Sequence, residues 1–77
     1  MKGLKGKIRK MRTGIVKFFN DIKGFGFIID DTTNFEYFVH VTNLEDDIYK
    51  GSKVGYELGT YRGREQALHV KRLNRNL

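Results

Sequence analysis

Cysteine is missing from all 77 residues, which excludes disulfides and thiolate metal sites and leaves packing alone to hold any fold. Proline and tryptophan are missing as well. No apolar run approaches the ~18 residues needed to span a bilayer, and the first residues lack the apolar segment of a signal peptide. The expectation is a cytoplasmic protein with no membrane partner. No heptad, tandem repeat or low-complexity segment occurs, so solenoid and coiled-coil architectures drop out too. Acidic groups are scarce at one end: residues 1–10 hold Lys2, Lys5, Lys7, Arg9 and Lys10 and no acid.

What remains is ordinary for a globular chain, with 39% hydrophobic and 31% charged residues. A domain of this size buries roughly 60% of its unfolded surface, enough for one core and no second domain. The net charge of +6 and pI of 9.8 point to a polyanionic partner. Nucleic acid fits better than membrane, because no amphipathic helix is legible. Most of that excess lies in residues 1–10, which read as a basic flexible arm able to dock on phosphates. The alternative is a leader, with Met11 as the natural start of a domain over residues 11–77.

From Thr13 onward, short runs rich in β-branched and aromatic residues alternate with glycine, asparagine and aspartate clusters. They predict strands over residues 13–20, 24–30, 35–41, 52–60 and 65–72, separated by turns or loops. Five strands in so short a chain imply an all-β, closed or nearly closed barrel.

Successive side chains of a strand face opposite ways, so Phe25 and Phe27 share one face and Gly24, Gly26 and Ile28 the other. In the third strand Tyr37, Val39 and Val41 oppose Phe38 and His40. An imidazole seldom lies in the deepest layer, which puts Val39 inside and Phe38 with His40 outside. A neighbouring strand can then bring Phe25 and Phe27 alongside them. Phe18 is expected to face outward and Phe19 to pack, since alternation separates them unless a bulge intervenes. Such exposed aromatics beside lysine suit the stacking of unpaired bases, while basic groups follow the phosphates.

Lys23-Gly24-Phe25-Gly26-Phe27-Ile28 resembles the first ribonucleoprotein motif of bacterial cold-shock proteins, and Phe38-Val39-His40 the centre of the second. Gly14-Ile15-Val16-Lys17-Phe18-Phe19-Asn20 is similar to the family's opening strand, with Phe18 where tryptophan is usual. Val54, Glu57, Arg62-Gly63 and Gln66-Ala67 resemble its last two strands. Over about residues 12–73 the resemblance implies a five-stranded antiparallel OB-type barrel. It also implies binding of single-stranded RNA and DNA, often as an RNA chaperone. The contacts it implies are Lys17, Phe18, Phe25, Phe27, Phe38 and His40. Val41 replaces a further stacking phenylalanine, and the loop over residues 42–51 is shorter than usual, with Tyr49 as its one substitute aromatic. Fewer strong stacking sites than in a typical member are therefore expected.

Lys23, at the edge of the aromatic patch, and Arg62, in the hairpin loop Arg62-Gly63-Arg64, are expected on phosphates. Asp30, Asp31, Glu36, Glu45, Asp46 and Asp47 lack the spacing of a calcium loop and read as solvating or capping groups. His40 and His69 lie on separate strands, with nothing to unite them as an acid and base pair. The expectation is a monomeric binding protein with no catalytic residues, cofactor or metal. The competing reading is a β-barrel adaptor whose aromatic face docks a protein partner.

Overall fold

In the computed structural model, which describes residues 10–73, strands follow in the expected order: β1 (Arg12–Asn20), β2 (Phe25–Asp30), β3 (Glu36–His40), β4 (Lys53–Tyr61) and β5 (Arg64–Arg72). The basic arm expected over residues 1–10 lies outside the described residues except for Lys10. Their bounds stay within a residue of those predicted. A single 3-10 turn, Val41–Asn43, follows β3.

The strands close into a barrel in the order β1-β2-β3-β5-β4, with β4 pairing back onto β1. Four seams are antiparallel and the β3–β5 seam is parallel, with Phe38 registered on Gln66. The five-stranded antiparallel barrel expected is thus antiparallel except at that one seam. The reason is arithmetic: an odd number of strands in a closed ring cannot alternate direction all the way round.

Period-two burial fills the interior. Val16, Ile28, Val39, Val54, Tyr56, Ala67 and Val70 are almost wholly buried, joined by Ile48 from the loop, with Phe19, Tyr37, Leu44 and Leu58 packed against them. Burying each large aliphatic chain is worth ~1.5–3 kcal/mol. Val39, with no exposed surface, is interior as expected. Val41 is not: it is 45% exposed. Alternation stops at His40, where the chain leaves the strand and the Thr42 amide donates to His40 Nδ1 at 3.2 Å.

Two bulges adjust this pattern. The β1–β2 register skips Lys17, pairing Val16 with Ile28 and then Phe18 with Phe27. The extra residue turns both Lys17 and Phe18 outward and returns Phe19 to the core. On β5, His69 adopts φ 53° where Gly55 pairs with Lys71 and Glu57 with Leu68. This left-handed kink leaves His69 exposed, 3.2 Å from Glu45, and Val70 buried.

Asp30 is 1% exposed but well supplied with donors. Arg12 Nε donates to Oδ2 at 2.9 Å, the Tyr56 hydroxyl donates to the same oxygen, and the Thr32 and Thr33 amides donate to Oδ1 at 2.8 and 3.1 Å. Burial alone would raise the Asp30 pKa; the four donors outweigh it and hold the carboxyl well below its usual range. Burial, reinforced by Asp30, pushes the Tyr56 phenol up. Three further acids are engaged by other segments: Asp31 by Thr13 and Lys53, Glu36 by Lys17, and Asp46 by the Arg72 amide. Among the described residues no group of three or more His, Asp or Glu is gathered to hold a metal. Nor is any helix there long and apolar enough to cross a membrane.

Candidate nucleic-acid interface

Three adjacent strands position the aromatic residues. Phe18 of β1 stands opposite Phe27 of β2, which stands opposite Phe38 of β3, while Phe25 pairs with His40. The outward faces of these registered positions therefore form one aromatic surface. Phe18 lies 5.9 Å from Phe25 and 6.0 Å from Phe27, and Phe38 lies 6.0 Å from Phe25 and 5.9 Å from Phe27, between ring centroids. The rings form a closed quadrilateral. Phe25 and Phe38 are near-parallel at 22°, whereas Phe18–Phe25 and Phe27–Phe38 meet edge to face. Such mutual contacts hold the rings in place before any ligand arrives.

None of the four is sealed from solvent: Phe18 is 37% exposed, and Phe25, Phe27 and Phe38 are half-buried. Gly26, between Phe25 and Phe27, sets how closely their strand lies on β1. A Cβ at Gly26 would press into the Phe18 carbonyl oxygen and the Phe19 ring, so only glycine lets β2 approach β1 this closely.

Cations surround the rings. Lys17 is exposed on the β1 bulge, its Nζ 2.9 Å from Glu36. Lys23 is exposed in the β1–β2 turn, where its amide donates to Asn20 Oδ1 at 2.9 Å. Arg62 (φ 55°) and Gly63 (φ 77°) are both left-handed, as a two-residue type I′ hairpin requires. The Arg62 guanidinium lies 5.4 Å from the Tyr61 ring, whose hydroxyl, more than its charge, raises the arginine's pKa. His40 Nδ1 accepts from the Thr42 amide at 3.2 Å and lies 2.9 Å from the Thr42 hydroxyl.

The predicted residues thus divide. Phe18, Phe25, Phe27 and Phe38 form one surface, with His40 registered beside Phe25; Lys17, Lys23 and Arg62 sit on the flanking bulge, turn and hairpin. Tyr49 is exposed, but its ring faces Arg72 at 5.9 Å.

Two residues stand against Phe38 in a way the sequence did not predict, although it placed Arg64 in an outward hairpin loop suited to phosphates. The Arg64 guanidinium lies 4.5 Å from the Phe38 centroid. Gln66, 2% exposed, stands beside Phe38 on the parallel seam. Together with His40, Thr42, Tyr61 and Arg62 they line a groove of about 390 Å³ that extends the aromatic surface toward the hairpin. A two-residue turn after Tyr61 could have placed Arg64 opposite it, but the parallel pairing that brings β5 beside Phe38 leaves no local trace.

Residues 12–73 match the 'Cold-shock' DNA-binding domain family. The chain is 44% identical to a probable cold shock protein of Sinorhizobium fredii over 52 residues, covering 62% of this chain and 75% of the relative. It is also 44% identical to a cold shock-like protein of Shewanella violacea over 50 residues, 60% of this chain and 71% of the relative. Among solved structures, the barrel superimposes on Drosophila Unr CSD456 with a TM-score of 0.71 at 24% identity. That superposition covers 88% of this chain and 29% of the Drosophila chain, and it bears on fold alone.

Proposed function

This chain belongs to the cold-shock DNA-binding domain family, and from that premise we propose that it binds single-stranded RNA or DNA by stacking unpaired bases on Phe18, Phe25, Phe27 and Phe38. Lys17, Lys23, Arg62 and Arg64 hold the phosphates, and His40 adds a polar edge beside Phe25. The observation that carries this reading is the half-buried ring quadrilateral, fixed by its own contacts yet open to solvent. Each stacked base contributes ~1–3 kcal/mol whatever its identity, because every base has a π-face.

Chaperone action follows from the same geometry. A base stacked on a phenylalanine is unavailable to its pairing partner, so weak duplexes melt as the protein binds, without a catalytic group. Of the cations around the rings, Lys17 is paired with Glu36, which offsets its charge. The basic residues 1–10 add long-range attraction, while selection for unpaired strands falls to the rings.

The deciding experiment compares affinity for matched single- and double-stranded oligonucleotides at two salt concentrations. Preference for the single strand at both concentrations is expected. Equal affinity for the two forms would reduce the protein to a polyanion binder, and no affinity for either would favour a protein partner on the aromatic face.

A further inference from the structure

A groove of about 290 Å³ that the base-stacking rings do not line lies between the end of β1 and the loop after the 3-10 turn. Phe19, Leu44 and Ile48, which pack with the core, form its floor. Val41 and Tyr49 form its walls and are 45% and 60% exposed. Asp21 and Asp47 stand exposed at its rim, and neither carboxylate has a partner among the described residues. The Arg72 side chain is held instead by the Asp47 carbonyl, at 2.9 Å. The groove is therefore apolar within and acidic at its mouth. Acids repel phosphate, Val41 gives a base no flat face, and the Tyr49 ring already faces the Arg72 guanidinium, so nucleic acid is poorly served here. Exposed apolar surface of this kind marks a docking site.

We infer that this groove receives the N-terminal segment of a second copy of this chain: Leu4 or Ile8 enters the apolar floor while the flanking lysines meet Asp21 and Asp47. Residues 1–10 are complementary in both respects, with five basic groups, no acid, and branched aliphatic side chains at these two positions. Reach decides that the copy is a second one. Lys10 precedes β1 and Phe19 nearly ends it, so the groove lies roughly 30 Å away along the strand. Counting back from Lys10, Ile8 reaches roughly 7 Å and Leu4 roughly 20 Å even with the chain fully extended. Neither meets the groove of its own barrel. A segment leaving one end of β1 and a groove at the other give a head-to-tail contact, which can repeat from copy to copy. The contact is small, so copies separate on dilution and gather when concentrated. None of this depends on the single-strand reading.

The test is sedimentation of the full-length protein at low salt across a wide range of concentration. The weight-average mass should climb above the 9.0 kDa of one chain as concentration rises. Leu4→Ser with Ile8→Ser removes the aliphatic side chains and keeps all five basic groups, whereas Asp21→Asn with Val41→Ser alters the groove. Each doubly substituted protein alone should associate about tenfold more weakly. Mixed together they should associate again but stop at a pair, because one still offers a groove and the other a segment. Thermal melts check the groove variant, and Asp21→Asn with Asp47→Asn replaces it if it is unfolded. A mass that stays at one chain throughout overturns the inference, as does undiminished association of the Leu4 and Ile8 variant or a mixture that stays monomeric. So does a folded groove variant that loses oligonucleotide affinity in place of self-association, which would give the groove to nucleic acid.

Discussion

The guanidinium of Arg64 sits 4.5 Å from the centroid of the Phe38 ring, so this ring meets a cation of its own chain before it meets a ligand. A planar cation over an aromatic face is worth about 0.5–1 kcal/mol when exposed. An arriving base must share or displace that contact, and a displaced guanidinium stands ready for the adjoining phosphate. Arg64→Ala should reduce the slope of log affinity against log salt by about one unit, with a parallel loss of affinity across strands of different sequence. An unaltered slope in oligonucleotide titrations would remove Arg64 from the phosphate contacts.

Phe27 and Phe38 each touch two other rings of the quadrilateral. Phe27→Ala or Phe38→Ala should weaken single-strand binding by ~1–3 kcal/mol, and the variant should remain a folded barrel by circular dichroism. Unfolding without a selective loss of binding would mean that these rings serve packing alone.

Removing residues 1–10 deletes Lys2, Lys5, Lys7, Arg9 and Lys10 and leaves every ring of the patch in place. The truncated protein should show a flatter salt dependence and an undiminished preference for single over double strands. If the slope stays as it was, the tail contributes no phosphate contacts.

The Arg12–Asp30–Tyr56 network predicts a stability plateau with two edges. In the unfolded chain Asp30 takes up a proton near its ordinary value of 3.8, whereas the folded protein resists doing so. Stability is thus full above that value and declines as the solution is acidified through it. Tyr56 acts oppositely: above its ordinary 10.0 the unfolded phenol ionises while the folded one stays neutral, so alkali favours unfolding. Urea midpoints measured across the pH range should fall at both ends. Tyr56→Phe should lower neutral-pH stability by ~1–3 kcal/mol, because the buried carboxylate loses a donor.

Gly26→Ala should be among the most damaging small substitutions, since the new methyl group meets the backbone of β1, which cannot swing aside as a side chain can. A thermal melt within a degree or two of the unsubstituted protein would contradict the close approach of the two strands.

How much of this was legible beforehand depended on the range of the interaction. Strand positions and the outward placement of Phe25, Phe27 and Phe38 follow from alternation, a local signal. Phe18 was placed correctly, but strict alternation from buried Val16 would have turned it inward. The bulge at Lys17 that reverses this is set by pairing with β2. Val41 misled for a related reason: the pattern continued in the letters after the strand had ended. Asp30 belongs to the acids whose sequence context suggests solvation or capping, and it does cap the turn at Thr32 and Thr33. Its burial against Arg12 and Tyr56, which are remote in sequence, was not foreseeable. Arg64 and Gln66 became neighbours of Phe38 only through barrel closure.

The parallel junction of β3 and β5 is the thinnest stave joint in the wall, registered at Phe38–Gln66 and continued by the Leu44–Val70 bridge. Amide protons along it should exchange with deuterium sooner than those between β1 and β2. A nucleotide laid in the adjoining groove would touch both staves and clamp the joint, coupling occupancy to the slowing of exchange there.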